Sequence, residues 1–99
     1  MEYRKLVRDR IPEHLTLKGL PYEMHRAEDA EYKVELVKKL QEEALEFSEA
    51  GDITELADVL EVIDALKALP EYADVLEVQR AKREEKGAFI ERFIVKGEK

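Results

Sequence analysis

Two long stretches with helical periodicity, interrupted only at Gly51 and Asp52, restrict the folds open to this chain. From Asp29 to Ala50, apolar residues recur at Tyr32, Leu36, Leu40, Phe47 and Ala50, with Val37 and Ala44 widening the stripe. That spacing belongs to one face of a helix. Gly51 supplies the stop, because glycine enters the left-handed conformation without steric cost. Asp52 then offers an N-cap and Glu55 its capping-box partner, so the spacing predicts a second helix from Ile53 to Leu69. A break this short sets the two helices antiparallel. On the second helix Ile53, Leu56, Val59, Leu60, Ile63 and Leu66 form one broad apolar face, and Val62, Ala65 and Leu69 form another. A helix apolar on two sides must be covered on two sides. In a 99-residue chain this predicts a symmetric homodimer, or a higher homo-oligomer, with a shared four-helix core.

The flanking segments are shorter. Pro12 suits the first turn of a helix running to Lys18, which Gly19 ends. The weak alternation of YEMHRA, residues 22–27, predicts a strand. Pro70 halts the second long helix, and a third is expected from Glu71 to Lys86, ending at Gly87. The aromatic and branched tail over residues 88–96 predicts a second strand, paired with the first. The expected fold is mainly α: an antiparallel helical bundle with a small β ribbon, in one domain over residues 1–99.

Composition narrows the chemistry. Without cysteine there is no thiolate nucleophile and no Cys-ligated zinc, and His14 and His25 are too few for a zinc cluster. Any metal must be held by oxygen. The net charge of −7 argues against a nucleic-acid polymer as partner. No apolar run reaches the length of a membrane span, and Met1 to Leu20 lacks a signal-peptide core, which makes a cytoplasmic protein the expectation. The charge is uneven, however. Arg4, Lys5, Arg8 and Arg10 crowd the start, and Arg80, Lys82, Arg83 and Lys86 cluster late, while acids dominate the middle.

Those acids carry the sharpest signal. Glu43 and Glu46 precede Gly51, and Glu55 and Asp58 follow it, in mirrored positions. In an antiparallel hairpin Glu46 faces Glu55 and Glu43 faces Asp58, on helix axes about 8 to 10 Å apart. Glu43 falls on the apolar side of its helix, whereas Glu42 and Glu49 turn outward. Buried carboxylates repel one another or take up protons unless a cation satisfies them. Oxygen ligation favours Mg²⁺, with Mn²⁺ the alternative. Lys39, one turn before Glu43, can reach a phosphate or a carboxylate, and Arg8, Arg10, Arg83 and Lys86 are the other candidate anion contacts.

The run K-L-x-E-E-x-x-E (Lys39 to Glu46) followed by E-L-A-D (Glu55 to Asp58) resembles the signature of the all-α nucleoside triphosphate pyrophosphohydrolases, the MazG and phosphoribosyl-ATP pyrophosphohydrolase superfamily. The opening K-L-V-R-D-R-I-P (Lys5 to Pro12) and the late E-K-G-A-F (Glu85 to Phe89) are similar to a small phosphoribosyl-ATP pyrophosphohydrolase-like subgroup. The resemblance implies a MazG-like bundle in which Glu43, Glu46, Glu55 and Asp58 ligate Mg²⁺. It also implies cleavage of a nucleotide between the α and β phosphates, giving a monophosphate and pyrophosphate. A free carboxylate must take the proton of the attacking water, and Glu42 and Glu46 are the candidates for that catalytic role. The turn at Gly51 is tighter than the family's usual stretch. A phosphoribosyl-ATP reaction is disfavoured because Glu61 and Val62 stand where those enzymes carry histidine. A non-catalytic helical dimerisation or regulatory module on the same fold is the alternative.

Overall fold

The structure, a computed structural model, describes residues 4–98, so the first three residues of the extended opening segment lie outside the described residues. The chain divides into two compact units, Met1–Leu66 and Lys67–Lys99. In the first unit, α1 spans Ile11–Leu17 with Pro12 in its first turn. It closes in a Schellman arrangement: the Leu20 N–H donates to the Leu15 carbonyl (3.0 Å), the Gly19 N–H donates to the Thr16 carbonyl (3.0 Å), and Gly19 has φ of 72°.

Helix α2 spans Asp29–Ala50 and α3 spans Ile53–Lys67. Between them Gly51 adopts φ 68°, ψ 15°, and its N–H donates to the Phe47 carbonyl at 2.7 Å. Asp52 caps α3: its carboxylate accepts from the Glu55 N–H at 2.9 Å and from the Thr54 hydroxyl at 2.8 Å. Those bonds hold the Asp52 carboxyl below its ordinary pKa, the Glu55 N–H contributing most. The reciprocal half of the expected capping box is not formed, because the Glu55 carboxyl turns toward α2 instead.

The expected second helix stops at Lys67, two residues before Leu69. Of the α2 stripe, Leu36 is buried and Tyr32, Leu40 and Phe47 are half-buried, while Val37, Ala44 and Ala50 stay exposed. On α3 only Val62 is buried; the opposite face, carrying Ile53, Leu56, Leu60 and Ile63, is open. Of the two apolar sides predicted for this helix, the one at Val62 meets the protein interior.

Residues 22–27 form no strand. Their side chains tie back to helices: the Tyr22 hydroxyl lies 2.6 Å from the Thr16 hydroxyl, and His25 Nε2 lies 3.0 Å from Glu31 Oε1. In the second unit the tail over residues 88–96 is also irregular, so the expected β ribbon is absent from the described residues. Apolar alternation gives a strand only where a neighbour completes its ladder, and a lone two-stranded ribbon is marginal in water.

The third long helix also starts later than the sequence predicts. Pro70–Tyr72 forms a 3₁₀ turn, with the Tyr72 N–H donating to the Leu69 carbonyl and the Ala73 N–H to the Pro70 carbonyl, and α4 spans Val75–Lys86. Gly87 ends it at φ 84°. Among the described residues no helix is long and apolar enough to cross a membrane.

The hairpin depends on the left-handed residue at Gly51, where an added Cβ meets nothing within 4 Å, so a substitution there carries a backbone cost alone. Gly51→Ala is expected to destabilise the protein by about 1 kcal/mol. Gly51→Asn is expected to lose less, because asparagine tolerates this conformation better; urea denaturation of the two variants measures the difference.

Candidate metal centre

The α2–α3 hairpin brings carboxylates together across its inner face. One oxygen each from Glu43, Glu55 and Asp58 lie within 4.8 Å of one another. Oxygens that share one Mg²⁺ sit no more than about 4.2 Å apart, since each lies about 2.1 Å from the ion. A small adjustment of side chains reaches that arrangement. Glu43 lies two helical turns beyond Leu36 on the same face, which is why it points inward and is only 7% exposed. Glu46 is exposed and lies outside the three grouped oxygens, but its charge is felt at Glu43, whose pKa it helps to raise. The sequence-derived set of four therefore converges as three closely grouped oxygens with Glu46 alongside.

Protein groups satisfy this cluster incompletely. Glu43 Oε1 pairs with Lys39 Nζ at 3.4 Å, but Glu43 Oε2 is buried without a hydrogen-bond partner, and so is Glu55 Oε2. Desolvation pushes the Glu43 carboxyl above its ordinary pKa, Glu46 adds to the rise, and Lys39 opposes it. Desolvation likewise raises Glu55, helped by Asp52, Asp58 and Glu43. Asp58 is held by Arg8, whose guanidinium donates at 2.7 Å. Two orphaned buried oxygens on an all-carboxylate donor set fit a hard divalent cation.

The basic start of the chain meets the acidic middle, as its charge pattern implies. Arg4 bonds to Glu31 and to Glu35 (2.9 Å), Lys5 reaches Glu42 at 3.5 Å, and Arg8 reaches Asp58. Lys39, with its side chain 17% exposed, bridges Glu42 (3.5 Å) and Glu43 (3.4 Å). Arg8 and Lys39 thus touch the carboxylate centre, whereas Arg10 is exposed and pairs with Glu13 at 3.2 Å. Glu42 sits against Lys5 and Lys39 rather than in the cluster. Arg83 and Lys86 occupy the last turn of α4 in the second unit. Glu61 and Asp64 are exposed. Two contacts escape sequence reasoning: Lys5 and Glu35, whose roles depend on where the opening segment lies along α2.

Compared with protein families, with curated proteins and with solved structures, the chain gives no match.

The pKa directions carry a sign for stability. A carboxyl raised in the folded state binds its proton more tightly there than in the unfolded chain. The stabilisation this supplies is full below the ordinary carboxylate pKa and is lost as pH rises through the raised folded value. At neutral pH the metal-free centre therefore opposes folding. Glu43→Gln is expected to stabilise the metal-free protein by roughly 1 kcal/mol at pH 7, with the gain shrinking below the carboxylate range; thermal melts across pH in chelator measure it.

Proposed function

We propose that this protein is a metal-dependent nucleotide pyrophosphohydrolase that cleaves between the α and β phosphates. The observation that carries the reading is the carboxylate centre with buried, unpartnered oxygens on Glu43 and Glu55, flanked by Lys39 and Arg8. The resemblance of Lys39–Glu46 and Glu55–Asp58 to the pyrophosphohydrolase signature supplies the reaction class. Glu43, Glu55 and Asp58 would hold Mg²⁺ or Mn²⁺, with Glu46 beside them and free to act as a base. When bound, such an ion neutralises phosphate oxygens and makes a water more acidic.

The chain's own residues do the rest. Of the two candidate bases, Glu46 is the better placed, since it adjoins the ligand oxygens and is exposed, whereas Glu42 is engaged by Lys5 and Lys39. Arg8 balances Asp58 when no divalent cation is present. Were Asp58 to serve as a ligand, the Arg8 guanidinium beside it would be available to a phosphate, for which its planar fork suits it.

A homodimer is part of the proposal. On α3, Ile53, Leu56, Leu60 and Ile63 fall within an arc of about 80°. Ile53 is 82% and Leu60 is 55% exposed, and the stripe is interrupted by no charge. An uncharged, self-complementary helix face suits a two-fold contact with a second copy. The same stripe favours the second reading, a helical dimerisation module without turnover.

With Mg²⁺ or Mn²⁺ and a panel of nucleoside triphosphates, the protein is expected to release pyrophosphate, and Glu43→Gln to lower kcat at least a hundredfold, on the order of a lost group essential to the site. Metal binding by calorimetry without pyrophosphate from any nucleotide would leave the dimerisation module in its place.

Light scattering is expected to give twice the 11.5 kDa of one chain, and Leu60→Lys to give one chain only. A wild-type protein that stays a single chain at micromolar concentration counts against the two-fold contact.

A further inference from the structure

The second unit carries an apolar surface of its own, separate from the α3 stripe. Every described residue from 70 to 98 is exposed. In the tail Phe89 is 98% and Ile94 96% exposed, with Ile90, Phe93 and Val95 hardly less open. Helix α4, which precedes it, buries no residue, and a helix of 12 residues is marginal in water without a packed face. Soluble monomers rarely leave so much apolar side chain open in one stretch.

Helix α2 carries a surface that matches the tail. At 100° per residue, Ala30, Val34, Val37, Gln41, Leu45 and Ser48 fall within an arc of about 80°, centred about 140° from Leu36. None of the six is charged, in a helix where 10 of 22 residues are. The row is open, since Val34 is 53% and Leu45 is 59% exposed. From Val34 to Leu45 it runs about 16 Å. Residues 89–95 reach up to about 20 Å when extended, so the tail is long enough to follow it.

The tail and the row are both bare in one chain by itself, so their cover comes from outside that chain. Charge narrows what it can be. The first unit carries 17 acids and 9 basic residues, the second 7 and 8. A surface of anionic lipid would attract the tail and repel the acidic unit of the same chain. A second copy meets the tail with an uncharged row on an acidic unit, and the α3 contact brings that copy to the same hairpin. The area is sufficient as well. The two phenylalanines offer roughly 150 to 250 Å² each, and three aliphatic side chains add to them. Two tails docked reciprocally therefore bury on the order of 1,200 Å², where specific interfaces begin.

We propose that two copies exchange tails, residues 89–95 of each lying along the α2 row of the other. The exchange is reciprocal, as a two-fold axis requires. Its continuity with the α3 contact rests on the homodimer reading; the contact of tail and row needs neither that stripe, nor a metal, nor a nucleotide.

The test is the oligomeric state of full-chain variants, read by light scattering over a concentration series. Phe93→Asp in the tail and Val34→Asp in the row replace exposed side chains, so each single chain keeps its helices, which circular dichroism checks. Each is expected to raise the dimer dissociation constant at least tenfold. Leu17→Asp, at an exposed apolar residue of α1, is expected to leave it unchanged. Mixing distinguishes exchange from a tail folded onto its own chain. A Phe93→Asp chain and a Val34→Asp chain together restore one intact contact between copies, so the mixture is expected to dimerise more tightly than either variant alone. No gain on mixing overturns the exchange. Tail variants as dimeric as the wild type overturn it too, as does capture of the wild-type chain by phosphatidylcholine vesicles that Phe93→Asp abolishes, which makes lipid the occupant. Leu60→Lys separates the two contacts. Single chains from Leu60→Lys with full dimers from Phe93→Asp leave the α3 stripe as the interface and remove the exchange; the reverse upholds the exchange and removes the stripe.

Discussion

Folding α3 back on α2 forces carboxylates into one partly desolvated space, and much of the architecture follows from that repulsion. Glu43 sits where an apolar residue would serve the core better, two turns from Leu36 and nearly as buried. Around it Glu46, Glu55 and Asp58 bring like charge. A site left with unpartnered buried oxygens gives up stability that a hydrophobic contact would have supplied. Such concessions concentrate where a chain needs a ligand.

The basic opening segment is the protein's own answer to that charge. It lays Arg4 on Glu31 and Glu35, Lys5 on Glu42 and Arg8 on Asp58, so one irregular stretch is tied to both helices of the hairpin through ion pairs. Those pairs are largely exposed, and each is individually weak. The core is thin as well. With Leu36 and Val62 the buried apolar residues among those described, the hairpin carries little hydrophobic margin of its own, and the open stripe of α3 is where further burial is available.

Much of this was legible in the residues. Periodicity and the Gly51–Asp52 break located α2 and the start of α3 near Ile53, because glycine at a helix end and an aspartate N-cap act through local geometry. The inward aim of Glu43 followed from its helical phase. What misled was composition without partners: residues 22–27 and 88–96 have strand-like content, yet a ladder needs a neighbour, and Tyr22 and His25 found helix side chains instead. The start of α4 was missed because a 3₁₀ turn after Pro70 uses i to i−3 bonds that leave no periodic apolar trace.

The sequence alone determined the helical hairpin and the meeting of its acids, since both depend on turn chemistry and on the fixed pitch of a helix. Tertiary structure decided which acids lose water, which oxygens stay unpartnered, and which cations face them. Arg8 rather than Arg10 reaches Asp58, and Lys5 with Lys39 shares Glu42, because a segment without periodicity takes its path from the surface it lies on. Desolvation depends on that path and on the packing of both helices, and no spacing along the chain records either.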